Sequence, residues 1–73
     1  MRAEVRVELK EGIFDPEGEN IKKALNLLGF TEVKDVKLAR LYTIEVDAAD
    51  HVEDMCTKLL TNPVIHTYSI RKG

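Results

Sequence analysis

The fold is decided by the stretch VKDVKLARLYTIEVD, residues 33–47, which contains two consecutive runs of alternating apolar and polar residues. The apolar members of the two runs are Val36 and Leu38, and then Tyr42, Ile44 and Val46. Alternation with a period of two is typical of a β-strand that has one buried face. The runs almost touch near Ala39, Arg40 and Leu41, and we therefore predict two strands joined by a tight hairpin there. No Asn-Gly or Asp-Gly pair marks the turn, so its position within these residues stays open.

The N-terminal segment MRAEVRVELK shows the same alternation and predicts a strand that precedes this stretch. Its apolar side is formed by Ala3, Val5, Val7 and Leu9. Further along, the apolar spacing becomes that of one helix face, at i, i+3, i+4 and i+7. These positions hold Ile21, Ala24, Leu25 and Leu28. Gly29 is well placed to end this helix as its C′ residue.

The segment DHVEDMCTKLLTNP, residues 50–63, predicts a second helix after the alternating stretch. Its apolar face holds Val52, Met55, Cys56 and Leu59, and Pro63 blocks its continuation. The last run, VIHTYSIRK, predicts a fourth strand over residues 64–72. Val64, His66, Tyr68 and Ile70 share one face of this strand, and Ile65 points to the other.

The predicted element order is β-α-β-β-α-β. It is that of an α+β, ferredoxin-like, two-layer sandwich, in which an antiparallel sheet carries two helices on one face. One such domain accounts for residues 1–73. The predicted fourth strand carries apolar side chains on both faces, and a sheet this small leaves one face without cover inside the chain. We therefore predict contact with a partner at and beside that strand. The candidate contact residues are Asn62, Pro63, Val64, Ile65, His66, Tyr68 and Ile70.

Size and composition also point to a partner. A chain of 73 residues supports one small core, worth roughly 3–5 kcal/mol of net stability. A single cysteine excludes an internal disulfide, so burial against a second copy is the expected remedy, as a homodimer or a dimer of dimers. A formal net charge of −2 argues against nucleic acid as a partner. Neither a membrane span nor a signal peptide is recognisable, and with the free thiol this predicts a cytoplasmic protein.

The loop GIFDPEGEN, residues 12–20, raises the question of phosphate binding, because glycines precede a predicted helix. A Walker-type loop needs Lys and then Ser or Thr after its second glycine, whereas Gly18 is followed by Glu and Asn. Capping explains the residues better, because Asp15 can accept hydrogen bonds from free amides and Pro16 suits the first helical position. We therefore assign Asp15, Pro16 and Gly18 to a helix cap and turn.

No residue pattern in the chain predicts catalysis, a cofactor site or a metal site. Cys56 lies in the middle of the second predicted helix, away from the electropositive N-terminus that activates a thiol. His51 and Cys56 are five residues apart and do not share a helix face well, and His66 lacks partners for a metal. RNA recognition on such a sheet needs exposed aromatic residues on the central strands, which this sequence does not provide.

Four segments, in this order and spacing, resemble the small subunit of phosphoribosylformylglycinamidine synthase, the PurS family. They are LKEGIFDPEG, ALNLLGF, VKDVKLARLYTIEV and MCTKLLTNPVIHTYSI, and they span nearly the whole chain. The most specific pieces are the turn Asp15-Pro16-x-Gly18, the helix exit Leu28-Gly29-Phe30 and the junction Leu60-x-Asn62-Pro63-Val64-Ile65. The resemblance implies a single PurS-like domain.

The resemblance also implies a function in a complex. The complex is a glutamine-dependent carbon-nitrogen ligase of purine biosynthesis, which amidates formylglycinamide ribonucleotide. In this family a glutaminase subunit releases ammonia, and a large synthetase subunit uses ATP and magnesium. The small subunit bridges the two and supports ammonia transfer. The resemblance implies no catalytic residue and no bound cofactor in this chain.

Two alternatives from other classes stay open at this point. An amino-acid-sensing regulatory domain of the ACT type shares the topology and dimerises, and it would bind a free amino acid saturably. A stand-alone enzyme would show turnover without partners.

Overall fold

The structure is a computed structural model that describes all 73 residues. Its strands are β1 (Arg2–Leu9), β2 (Ala39–Glu45) and β3 (His66–Lys72), and its first helix is α1 (Pro16–Leu27). α2 (Val52–Met55) is flanked by a 3-10 turn (Ala49–His51) and a π-helical turn (Cys56–Leu60). Residues 49–60 therefore form one continuous second helical segment. Both helices are too short and too polar to cross a membrane.

The sheet has the order β2-β1-β3, and β1 pairs antiparallel with both neighbours. At its centre, Val5 lies opposite Tyr42 on one side and Ile70 on the other. The buried hydrophobic core comes from β1 and the second helical segment, and consists of Ala3, Val5, Val7, Val52 and Cys56. The predicted α+β class, with an antiparallel sheet and two helical segments, is confirmed.

The hairpin predicted near residues 39–41 is wrong. Val36 and Leu38 do not belong to a strand, so the chain has three strands rather than four. Residues 34–38 make no backbone–backbone hydrogen bond, and β2 begins at Ala39 with no turn before it. The physical reason is parity. The apolar residues stay even-numbered through both runs, as in one straight strand, whereas a two-residue hairpin reverses the parity between its strands.

The helix α1 projects away from the sheet and makes no extensive contact with any strand. The radius of gyration is 15.5 Å, against about 11 Å for a compact chain of this length. An eight-residue strand and a 12-residue helix laid end to end span about 44 Å. That length is close to the 48 Å long axis of the molecule. Within one chain, therefore, only the second helical segment covers a sheet face.

We call residues 13–38 the arm. It consists of the end of the first loop, α1, the turn that follows α1, and residues 31–38, which lead back to β2. We call residues 31–38 the return segment. Gly29 ends α1 with a φ of +103°, a conformation that favours glycine. The arm thus leaves the end of β1 and comes back to the start of β2.

The last strand begins at His66, because residues 62–65 form a turn rather than the start of the strand. Tyr68 and Ile70 pack against the core. The alternate positions of β3 hold Thr, Ser and Arg, which are exposed. The expectation that this strand carries apolar side chains on both faces is therefore wrong, since Ile65 belongs to the turn.

Candidate functional site

Asp15 joins the two ends of the arm. It is the N-cap of α1, and its Oδ1 accepts a hydrogen bond from the Gly18 amide at 3.0 Å. Its Oδ2 accepts a second hydrogen bond from the Leu38 amide at 3.2 Å, although Leu38 is 23 residues further along the chain. Pro16 occupies the start of the helix, where its missing amide costs nothing. One carboxylate thus fixes the start of α1 to the end of the return segment.

Gly18 is the one buried residue of α1, and it lies against the return segment. A side-chain carbon at this position would collide with the backbone carbonyl of Val36. Glycine is needed here because two backbones approach closely. Half-buried residues follow Gly18 at helical spacing and mark the side of α1 that faces the return segment. They are Glu19, Lys22, Leu25 and Asn26.

The other side of the arm is apolar and exposed. Ile21 and Leu28 lie two helical turns apart on one stripe of α1, and Leu28 is 74% exposed. Leu27 beside it is 89% exposed. Phe14 and Phe30, at the two ends of the helix, are exposed as well. Exposed large apolar side chains in this number make the arm a candidate contact surface.

An open groove of about 410 Å³ lies on the body of the molecule where the arm begins. Its lining is mixed. The apolar part includes Val7, Leu9, Leu38, Tyr42 and Leu60, and the polar part consists of Glu8, Asp15, Glu17, Arg40 and His66. In a compact sandwich a second helix would cover this part of the sheet. Here α1 reaches the groove only with Glu17 in its first turn, so the groove is open.

The turn over residues 62–66 contains most of the predicted contact residues. The Asn62 amide donates to Nδ1 of His66 at 2.8 Å, and the Val64 amide donates to Oδ1 of Asn62 at 3.0 Å. Asn62, Pro63 and Val64 are exposed, whereas Ile65 and His66 are half-buried. The structure therefore brings these five residues together, and it separates them from the two candidates on β3 that pack against the core.

Cys56 is enclosed in the core. Burial raises the pKa of its thiol, and the nearby carboxylate of Glu53 raises that pKa further. A protonated, buried thiol is a poor nucleophile. Neither histidine hydrogen-bonds to it, because His51 lies 3.8 Å from the Asp54 carboxylate and His66 accepts its bond within the turn. The structure thus gives Cys56 a packing role.

The loop before α1 caps the helix and does not form an anion-binding site. The Gly18 amide that a phosphate would need is already bonded to Asp15. Glu17 and Glu19 lie in the first turn of the helix, where they suit its positive end and would repel a phosphate. Elsewhere in the chain, no three His, Cys, Asp or Glu side chains are grouped so as to hold a metal ion.

The family model described as PurS, phosphoribosylformylglycinamidine (FGAM) synthase, matches residues 2–72. The chain belongs to the PurS family. Among its relatives, the FGAM synthase subunit PurS of Archaeoglobus fulgidus is 50% identical over 96% of this chain and 95% of that protein. The family resemblance inferred from the sequence is confirmed, and so is the role of a PurS subunit of FGAM synthase in purine biosynthesis.

Solved PurS structures share the fold. PurS of Methanocaldococcus jannaschii is described as one of the subunits of formylglycinamide ribonucleotide amidotransferase in the purine biosynthetic pathway. It superposes with a TM-score of 0.85 at 44% identity, covering 96% of this chain and 92% of that one. A chain of the PurLQS structure from Thermotoga maritima superposes with a TM-score of 0.73 at 26% identity, covering 96% of this chain and 93% of that one.

Sequence reasoning missed the exposed side of the arm as the main apolar surface of this PurS-family chain. The apolar spacing assigned Ile21 and Leu28 to one helix face, and the partner contact was predicted at the C-terminal turn and strand instead. The available signal was that the apolar residues of both runs, on either side of residues 39–41, have even numbers, together with the lack of a turn former at residues 39–41. Those features indicate that the chain runs straight and carries α1 away from its own sheet.

Proposed function

We propose that this PurS-family chain is a non-catalytic small subunit that bridges the glutaminase and synthetase subunits of FGAM synthase and supports ammonia transfer between them. The reaction amidates formylglycinamide ribonucleotide with nitrogen from glutamine at the expense of ATP. ATP and magnesium are used by the large synthetase subunit, and this chain binds no cofactor. The chain functions in the cytoplasm.

The observation that carries this proposal is the apolar surface that one chain leaves exposed. Five hydrophobic residues form the buried core, whereas ten large apolar side chains are exposed. A chain with more large apolar side chains outside its core than inside is suited to being covered by other chains. The single thiol is enclosed, so surface contact rather than a reactive group is the chemistry that this chain offers.

Three partners follow from the proposal: a second copy of the chain, the synthetase subunit and the glutaminase subunit. The PurLQS structure from Thermotoga maritima contains a chain similar to this one, which supports a complex with other FGAM synthase subunits. The exposed arm supports a homodimer or a dimer of dimers. The turn at residues 62–66, with Val64 76% exposed, remains the candidate surface for the larger subunits.

Reconstitution with two nitrogen sources tests the proposal. Purified synthetase and glutaminase subunits are assayed for FGAM formation with and without this chain, using glutamine in one series and ammonium in the other. Glutamine-dependent formation is expected to require the chain, and ammonium-dependent formation, which bypasses the transfer, is expected to need it much less. Equal glutamine-dependent rates with and without the chain would contradict the proposal, and so would turnover by the chain alone.

The turn is tested separately by a surface substitution. Val64→Asp places a charge at the exposed turn, and it is expected to raise the amount of chain needed for half-maximal glutamine-dependent activity. Thr57→Asp, at an exposed position of the second helical segment, is the matched control. Equal requirements for the two variants would remove the turn from the contact surface.

A further inference from the structure

The turn over residues 62–66 is closed around Asn62, which forms hydrogen bonds through its backbone and its side chain. Its carbonyl oxygen accepts from the Ile65 amide at 3.0 Å and from the His66 amide at 2.8 Å. Its side-chain Oδ1 accepts from the Val64 amide at 3.0 Å. These three bonds join amide groups only, and they are independent of pH because amides do not titrate.

The fourth hydrogen bond of the turn differs, because its acceptor is a side chain that takes up a proton. The Asn62 amide donates to Nδ1 of His66, and the two nitrogens are 2.8 Å apart. In a neutral imidazole one ring nitrogen donates and the other accepts, whereas in the charged form both donate. The bond therefore requires the neutral ring, with its hydrogen on Nε2. A proton on Nδ1 would set one N–H group against another.

We propose that protonation of His66 releases the Asn62 amide and loosens the turn, which makes the turn a pH-sensitive element of this chain. While the imidazole is neutral, it accepts the amide hydrogen bond and the turn is closed. In acid, a proton from the solvent binds to Nδ1, and the end of the second helical segment loses its contact with the ring. Histidine suits this role because its charge normally changes between about pH 5 and about pH 8.

The charged surroundings of the ring act in the opposite direction. His66 begins β3 opposite Leu9 of β1, and it lies in the lining of the open groove. The titratable and charged groups that share this lining come from β1, from the start of α1 and from β2, and they are Glu8, Asp15, Glu17, Arg40 and Tyr42. The second helical segment contributes only Leu60 there. The three carboxylates attract a charged imidazole and the guanidinium repels it, but none of them forms an ion pair with His66.

The loosening is confined to one side of the turn. The Lys10 amide donates to the Ile65 carbonyl at 2.8 Å, so the Ile65 side stays attached to the end of β1. Val64 lies between the two sides and is 76% exposed. Its position depends on Asn62, so protonation disperses the surface proposed for the larger subunits. This consequence for assembly rests on the proposed function, whereas the response of the turn itself does not.

Replacing the histidine with a group that accepts but does not titrate tests the proposal. In His66→Asn, Oδ1 stands one bond from Cγ, as Nδ1 does in histidine, and it accepts the Asn62 amide at every pH. Urea unfolding of both chains is followed at one fixed concentration from about pH 8 to about pH 5. The unfolded chain binds the proton without breaking the bond, so it binds more protons and wild type loses stability as the pH falls.

The expected loss, relative to His66→Asn, is about tenfold in the unfolding equilibrium constant. His51→Asn is the matched control, because it removes the other histidine, whose exposed pair with Asp54 contributes little. This control is expected to follow wild type. If wild type gained stability over His66→Asn in acid, the groove carboxylates would dominate and the proposal would be overturned. A constant difference between the two chains would overturn it as well.

Nuclear magnetic resonance of the wild-type chain observes the hydrogen bond directly and does not depend on a variant that folds. A spin coupling across the bond, between the Asn62 amide nitrogen and Nδ1 of His66, is expected while the ring is neutral. It is expected to disappear in step with protonation of the ring. The proposal is wrong if the coupling is absent from the neutral ring or if it persists in the protonated one.

An activity measurement separates the pH response from the proposed function. The amount of chain needed for half-maximal glutamine-dependent FGAM formation is measured for wild type and His66→Asn at both ends of the pH range, and the ratio of the two amounts is expected to rise in acid. If the coupling disappears in acid while this ratio stays constant, the pH response stands and the turn is not the contact surface. If the coupling never forms but the chain supports the reaction, the pH response is wrong and the role in the complex stands.

Discussion

Replacing Asp15 tests how the arm is fixed to the rest of the chain. The carboxylate accepts hydrogen bonds from the Gly18 amide at 3.0 Å and from the Leu38 amide at 3.2 Å. Loss of an N-cap costs about 1 kcal/mol. Loss of a hydrogen bond to a charged acceptor costs about 1.5 kcal/mol, at the low end of its range because Asp15 is only half-buried. Asp15→Ala is therefore expected to lower the free energy of unfolding by about 2.5 kcal/mol.

Asp15→Asn is the matched variant, because its side-chain oxygen still caps Gly18 while its nitrogen cannot accept from the Leu38 amide. Its expected loss is about 1.5 kcal/mol. Urea unfolding followed by circular dichroism measures both variants, at one fixed chain concentration because assembly couples stability to concentration. Equal stability of the two variants would refute the capping role. An Asp15→Asn chain as stable as wild type would refute the connection to the return segment.

Three further predictions concern single side chains. Gly18→Ala forces a methyl group against the Val36 carbonyl and is expected to lower the free energy of unfolding. The overpacking costs about 1–3 kcal/mol, which outweighs the roughly 1 kcal/mol gained in helix propensity. A urea midpoint above that of wild type would contradict this prediction. Because burial and then Glu53 raise the pKa of Cys56, iodoacetamide at neutral pH is expected to label the thiol only after the chain unfolds. Rapid labelling of the folded chain would contradict the packing role of Cys56. Partial burial and then Glu53 also raise the pKa of the Tyr68 phenol from its ordinary value of 10.0. The contribution of Tyr68 to folding stability is therefore fully present below pH 10.0, and it is lost as the pH rises through the raised pKa of the folded chain. Glu53→Gln is expected to lower the phenol pKa in an ultraviolet titration, and an unchanged titration would exclude the contact.

Much of the local structure was predictable because local patterns dictate it. The alternation around Val5 predicts β1, and the structure buries that side of the strand. Asp15 and Pro16 are typical of a helix start, and the structure begins α1 there. Gly29 marks the end of the same helix, with the positive φ that favours glycine. Each of these features depends on neighbours within a few residues, which the sequence displays directly.

The course of the chain after α1 was not predicted, because periodicity reports that a face is buried and not which chain buries it. Ile21 and Leu28 have the spacing of core residues, yet they are exposed in one chain. Val36 and Leu38 have the spacing of a strand, yet they lack a strand partner. The spacing of these residues therefore predicts burial that the single chain does not provide.

The candidate contact residues of the C-terminal turn and strand were also predicted from apolar spacing, and the structure places the two groups differently. Asn62, Pro63 and Val64 are exposed and free to meet a partner. Tyr68 and Ile70 lie against the core, because they stand opposite Val7 and Val5 of β1 and residues directly opposite each other share one face of the sheet. The sequence alone did not reveal this because the start of β3 depends on where the second helical segment ends.

The dependence of the rate on the amount of this chain tests most directly whether the chain is a structural subunit of FGAM synthase. The synthetase and glutaminase subunits are held at fixed concentrations, the chain is added in steps, and the initial rate of glutamine-dependent FGAM formation is measured. We predict that the rate rises and then stops rising at a fixed molar ratio of the chain to the synthetase subunit. We also predict that the break point moves in proportion when the synthetase concentration is changed. A rate that does not respond to the chain, or one that keeps rising without a break, would contradict a stoichiometric, non-catalytic role.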